Sequence, residues 1–238
     1  PSAHDGNGYI VRIPAGGTTV TTFIEGGKNG VKLDAPKGMA INGDQLYVAD
    51  IDVVRVFDKR TGRPLKTIDL KPLKATFLND VVVGPDSAIY LPDTGIHFDA
   101  KGTMTHPGVN RIFKITLKDD KVTEAATGDP LENPNGIAWD AANNRFVLAP
   151  FGGKDVQTWT PGQAPAKLID GPGGYDGIEV LSDGRILVSS WADSSVQAIR
   201  NGTMTKLVAN VSAPADIGVD TKRHVLAIPR FERNEVEL

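Results

Sequence analysis

The sequence predicts an all-β protein, a ring of four-stranded antiparallel blades known as a β-propeller. Two observations lead there. One is a phrase that recurs five times, an extended turn, an apolar strand, a tight polar turn and a second apolar strand. The copies read PKGMAINGDQLYVAD (36–50), LNDVVVGPDSAIYLPD (78–93), PNGIAWDAANNRFVLAP (134–150), YDGIEVLSDGRILVSS (175–190) and PADIGVDTKRHVLAIPR (214–230). Their anchor residues Lys37, Asn79, Asn135, Asp176 and Ala215 lie 42, 56, 41 and 39 residues apart. Such a period belongs to propeller blades or to helical solenoids. The second observation separates the two. Between copies run VVRVFD, RIFKITL, VQTWT and SSVQAIR, broken by the turns DKRTGRP, LKDDK, PGQAP and RNGT. These are β-branched and aromatic runs with turn punctuation, and no stretch holds a sustained i, i+3, i+4, i+7 apolar stripe.

Taken in order, the chain opens on a loop, PSAHDGNG, followed by YIVRI and TVTTFIE, which read as the outer half of a blade. Each copy of the phrase then supplies the two inner strands of a blade, and the run after it supplies the third and fourth. The last unit offers three pieces, PADIGVD, RHVLAIPR and NEVEL, and stops at Leu238. Stepping back one period from Lys37 puts an inner strand at or before Pro1. The expectation is therefore a single domain over 1–238 with six blades, part of the first blade missing from the N-terminus. That piece would also fasten the ring by giving the last blade a fourth strand. A five-bladed ring is the alternative.

Composition excludes several classes. With 40% hydrophobic and 23% charged residues, the chain can bury a core between packed sheets. Net charge is −3 with Lys and Arg scattered singly, so no nucleic-acid surface is indicated. No apolar run is long enough to span a membrane as a helix. The absence of cysteine removes disulfides, thiolate catalysis and Cys-based zinc sites. It leaves the compartment open, with a periplasmic or secreted setting favoured over the cytoplasm. Ring closure removes sheet edges, so a monomer is expected.

In a blade the first strand lines the axis and the second returns antiparallel, so the start of one and the end of the other meet at one mouth. The strand starts bring Lys37, Asn79, Asp80, Asn135, Asp176 and Asp216 there. The strand ends bring Asp50, Asp93, Phe151, Trp191 and Arg230. Oxygen donors without cysteine suit a hard cation, Ca²⁺ best, with Mg²⁺, Mn²⁺ or Zn²⁺ as alternatives. Each residue also has a plainer reading. Asn or Asp before Gly is common turn chemistry, Asp80 and Asp216 can pair with Lys37, and Asp50 and Asp93 can cap loop amides.

FLND (77–80), NPNGIAWD (133–140) and GYDGIEV (174–180) resemble metal-site strands of the regucalcin/gluconolactonase (senescence marker protein) family of six-bladed propellers. The repeats shade into NHL repeats, to which APKGMAI (35–41) is similar. The resemblance implies that Asn135 and Asp176 are metal ligands, with Asn79 a substrate-side or water-mediated residue that counts with them at the metal and with Asp176 in catalysis. It also implies that Asp176 activates water for attack on a lactone carbonyl. Two departures stand out. The family's first-blade glutamate has no counterpart in 1–238, and Phe77 stands where members active on sugar lactones resemble an Arg-containing version.

The long second spacing exposes an insert, TGIHFDAKGTMTHPGVN (94–110), expected to hang over the mouth as a lid. His97 and His106 lie on it, as candidate base or second metal ligand or as plain surface residues. Lys37, Asp80, Trp191, Asp216 and Arg230 complete the candidate substrate contacts, Lys37 as an anion contact or oxyanion stabiliser. SSWADSS lacks a nucleophile elbow, and GNG, GPGG and FGGK open no helix as a phosphate loop must. Two functions remain. One is a metal-dependent hydrolase opening a lactone or related cyclic ester, a small-molecule substrate. The other is a non-catalytic NHL-like propeller that binds a small ligand or a protein at the mouth.

Overall fold

The structure, a computed structural model, describes residues 3–17, 19–99 and 103–238. An N-terminal ribbon pairs β1 (Tyr9–Arg12) with β2 (Thr21–Glu25). The first blade is β3 (Pro36–Asn42), β4 (Gln45–Asp50), β5 (Val53–Asp58) and β6 (Pro64–Asp69). The second runs through β7 (Val82–Val83) and β8 (Ala88–Asp93). It is interrupted by a small hairpin of β9 (His97–Phe98) and β10 (Met104–Thr105), then closes with β11 (Arg111–Thr116) and β12 (Lys121–Thr127). The third is β13 (Pro134–Asp140), β14 (Arg145–Pro150), β15 (Asp155–Trp159) and β16 (Ala166–Asp170). The fourth is β17 (Tyr175–Val180), β18 (Ile186–Ser190), β19 (Ser195–Arg200) and β20 (Thr203–Ala209). The fifth holds β21 (Gly218–Asp220), β22 (Val225–Arg230) and β23 (Glu235–Glu237). Among the described residues no helix is long and apolar enough to cross a membrane.

Every blade is an antiparallel meander, four-stranded in the first four and three-stranded in the fifth. Among the described residues the blades number five, which corrects the expected six. β1 and β2 pair only with each other, and the ribbon rests on the face of the first blade that is turned away from the second. Ile10 and Ile24 pack there on Leu46, Val48 and Phe57 of β4 and β5. The ribbon does not reach β3, whose Met39 and Ile41 stay 46% and 60% exposed.

Blade strands such as QLYVAD read as unbroken apolar runs because both faces of each sheet are buried. Tyr47, Val54 and Val56 of the first blade meet Ile89, Leu91 and Phe113 of the second. Tyr90 and Ile112 turn the other way onto Phe146, Leu148 and Trp159 of the third. Val147 and Val156 meet Val188 and Ile199 of the fourth, and Leu187 and Val196 meet Ile217 and Ile228 of the fifth. The alternation in each strand thus sorts its residues between two neighbouring clusters.

The recurring glycine after the anchor residue has a packing cause. A Cβ on Gly136 would overlap the carbonyl oxygen of Asp176, and one on Gly177 would overlap the amide of Ile217. Gly38 lies in the same way against Asp80. Three of the five inner strands, β3, β13 and β17, therefore touch the next through a residue that must have no side chain. At the same place β3, β13 and β17 each carry a register irregularity. Bulges of this kind re-aim local side chains.

Aspartates at the ends of two second strands hold the mouth in shape. Asp50, fully buried, accepts from the amides of Asp34 and Ala35 (3.1 and 2.7 Å) and from Arg55 Nε at 2.8 Å. Asp93, also fully buried, accepts from the amide of Phe77 at 2.8 Å and the hydroxyl of Thr76 at 2.9 Å. Both act as caps on the loop leading into an inner strand. The mouth is thus braced by charge-assisted hydrogen bonds rather than left to loop entropy.

Candidate functional site

The five inner strands converge on an axial cavity of about 470 Å³, lined by residues from every blade, including Met39, Val82, Trp139, Ile178 and Ile217. Asp80, Glu179 and Asp216 stand on its wall. Asp176 is the second residue of β17, two residues before Ile178 on that wall.

Asp176 is the best-defined of the expected site residues. Burial pushes its carboxyl from 3.8 up to about 7, and the charge of Asp80 adds to the rise. The Trp191 and Asn135 side chains beside it favour the carboxylate and oppose the rise. The Trp191 contribution is a loose approach, because its buried Nε1 finds no acceptor at hydrogen-bonding geometry among the described residues. Asp176, Asn135 and Trp191, from the fourth and third blades, are therefore brought together as expected. Asn135 is buried.

The other expected residues divide. Asn79 Nδ2 donates to Thr94 Oγ1 at 3.0 Å, and that hydroxyl donates to the carbonyl of Pro134 at 2.9 Å. Asn133 Nδ2 donates to the carbonyl of Thr94 at 3.1 Å. Asn79 is thus part of a strut joining the second and third blades. Asp80 accepts from the amides of Val81 and Ile137 at 2.6 and 2.9 Å, another tie between those blades. Burial nonetheless raises its carboxyl to about 7. Asp216 is pushed well above the ordinary 3.8 by burial and then by Asp80, Asp176 and Glu179.

Lys37 Nζ donates to the carbonyl of Ala35 at 3.0 Å and lies 4.1 Å from the centre of the Phe77 ring. Burial lowers its ammonium to about 8, against the pull of Asp50. Its carboxylate neighbour in that balance is Asp50, not the Asp80 or Asp216 considered from sequence.

Residues 100–102 of the insert lie outside those the structure describes. His97 is exposed on β9, opposite Thr105. Phe98 beside it packs on Phe77 with centroids 5.7 Å apart. The Asn110 carboxamide, with its nitrogen toward Thr94 O, donates to His106 Nε2 at 3.0 Å. His106 thereby braces the base of the loop. Arg230 Nη1 lies 3.7 Å from both Glu235 and Glu237 of β23. Its chain neighbour Phe231 takes the place expected of it. Phe151, Trp191 and Phe231 follow the second strands of three successive blades. Successive rings lie 5.5 Å apart from centroid to centroid.

Glu179 was not anticipated. Burial, then Asp80, raises its carboxyl from 4.5 to about 7. A signal existed, since the other copies carry Ala40, Val82, Ala138 and Gly218 at this position. Among the described residues, no three Asp, Glu or His side chains come together closely enough to hold a metal ion. A cation here would draw on carboxamides and on backbone or water oxygen beside Asp176, as hard cations accept.

The carboxyls set a pH dependence. Asp80, Asp176 and Glu179 each hold their proton to about pH 7 in the folded protein, and Asp216 is raised as well. Unfolded carboxyls release theirs near pH 4. Between those values the folded chain binds more protons, so stability falls as pH rises through the window. In chelating buffer, Tm is expected to be at least about 5 °C higher at pH 5 than at pH 8. Asp216→Asn is expected to flatten that slope, and a bound divalent cation to raise Tm more at pH 8 than at pH 5. A slope of opposite sign in thermal scans would contradict the clustering.

Comparison with known proteins agrees with the architecture. Among solved structures, a streptogramin B lyase structure aligns at TM-score 0.62 with 19% identity over 84% of this chain. This chain spans 64% of the length of that one. A nidogen/laminin complex structure aligns at TM-score 0.64 with 17% identity, over 92% of this chain and 74% of that one. At these identities the likeness is one of fold alone. No curated protein sequence matches the chain. The family model described as SMP-30/Gluconolactonase/LRE-like region matches residues 3–219. This five-bladed propeller, with Asn135 and Asp176 side by side at its mouth, belongs to the SMP-30/gluconolactonase/LRE-like family.

Proposed function

We propose that the protein is a metal-dependent hydrolase that opens a lactone or related cyclic ester at the channel mouth. The observation that supports this most is the grouping of Asp176 with Asn135 and Trp191 in a chain of the SMP-30/gluconolactonase/LRE-like family. A carboxyl raised to about 7 is ionised in a useful fraction at neutral pH while remaining basic enough to take a proton.

In the proposed reaction the Asp176 carboxylate takes a proton from water as the water oxygen bonds to the acyl carbon. The acyl C–O bond of the ring then breaks, and the departing alkoxide recovers the proton from Asp176. One water is consumed and a hydroxy acid leaves. The oxygen-only donor set fits a hard cation, best Ca²⁺, which Asn135 and Asp176 would hold. The cation would supply Lewis-acid polarisation of the acyl oxygen. Asn79, through its strut to Thr94 and Pro134, keeps the neighbouring strand start in register with Asn135.

A panel of lactones and aryl esters, followed by proton release, tests the proposal. Wild-type protein is expected to consume at least one class above the spontaneous rate and to stop on chelation. No turnover with Ca²⁺, Mg²⁺, Mn²⁺ or Zn²⁺ supplied to folded protein would overturn it in favour of a binding propeller.

A further inference from the structure

The mouth is unevenly furnished. Its polar side chains are largely committed to bracing. Asp50 and Asp93 cap loops, while Asn79 and Asn133 are tied to Thr94. Beside Asp176 the wall is aromatic instead. Trp191 is the middle member of the row, edge-on to Phe151 at 83° and tilted 42° from Phe231. Trp191 and Phe151 are half-buried, and Phe231 is 51% exposed. Such spacings and angles are those of favourable aromatic contacts, and a further flat ring can extend the row. The buried Trp191 N–H, without a well-placed acceptor, is a donor for a ligand oxygen at the edge of that row.

We infer that Phe151, Trp191 and Phe231 form an aromatic subsite beside Asp176, so that the preferred substrate is a lactone or ester bearing a flat aromatic group rather than a polyol. This rests on the hydrolase reading for its chemistry, but the binding itself does not need turnover. Ring stacking holds the flat group while the acyl carbon lies toward Asp176. Hydrolysis then follows the same balance as above, with the phenolic oxygen as leaving group taking the proton from Asp176. A polyhydroxylated ring would instead face apolar carbon, leaving its hydroxyls without partners.

Two probes of one shape separate binding from chemistry: dihydrocoumarin, an aryl-fused lactone, and the matching lactam, which resists hydrolysis. The lactam is expected to quench the part of tryptophan emission that Trp191→Phe removes. Dihydrocoumarin is expected to show a lower KM than glucono-δ-lactone. Phe231→Ala, at an exposed position that folding tolerates, is expected to raise KM for dihydrocoumarin about tenfold, and Phe231→Tyr to restore it. Turnover of glucono-δ-lactone at the lower KM, with no lactam quenching, would overturn the subsite and leave the hydrolase standing. Lactam quenching without turnover of either lactone would uphold the subsite and overturn the hydrolase. Neither binding nor turnover would overturn both.

Discussion

Gly136→Val is expected to destabilise the protein by at least about 3 kcal/mol, among the larger costs a single substitution produces. The added carbon has no room, because the carbonyl of Asp176 in the next blade occupies its position. Relief requires the third and fourth blades to separate, and between them lies the cluster of Val147, Val156, Val188 and Ile199. Backbone does not move aside as a flexible side chain does. Gly218 supplies the control, since a Cβ there meets nothing within 4 Å and its φ needs no glycine. Gly218→Ala is expected to change stability by less than about 0.5 kcal/mol. Urea unfolding of both variants checks the pair. Equal losses would mean that inner-strand glycines are not the points at which blades touch.

Asp176→Asn is expected to lower kcat/KM by about a thousandfold, within the range for removing a general base that acts on water. The carboxamide keeps the shape and can still face Trp191 and Asn135, so the loss is not one of folding. Removing a carboxyl whose ionisation burial disfavours should also raise Tm at pH 8. Reduced turnover in a protein of unchanged or higher Tm is therefore the signature sought in paired kinetics and thermal scans. Full activity in Asp176→Asn would remove Asp176 from the chemistry.

The fold was legible because each blade repeats the same physical problem. Both faces of every sheet are buried, so apolar runs such as RFVLAP and QLYVAD advertise strands, while PKG, PNG and YDG mark where one inner strand grazes the next. The blade count was not legible. Spacing alone projected an inner strand before Lys37, whereas the ribbon at Tyr9–Arg12 and Thr21–Glu25 pairs only with itself and covers β4 and β5. Side-chain direction at strand ends was harder still. A slip of one residue turned attention to Arg230, which faces Glu235 and Glu237, and away from Phe231, which continues the row from Trp191. Such a slip exchanges the two faces of a strand. Long-range partners had no local signature at all. Neither the strut from Asn79 through Thr94 to Pro134 nor the contact of His106 with Asn110 follows from any spacing in the sequence.

The most direct test of a cation-assisted site at this mouth is metal content by mass spectrometry. It would be measured on native protein of verified intact mass and repeated on Asp176→Ala. A stoichiometric divalent cation in the wild type, lost in the variant while the fold persists, is the predicted result. Folded wild-type protein that retains no divalent cation after equilibration with Ca²⁺, Mg²⁺, Mn²⁺ and Zn²⁺, or a variant that retains as much as the wild type, would contradict it.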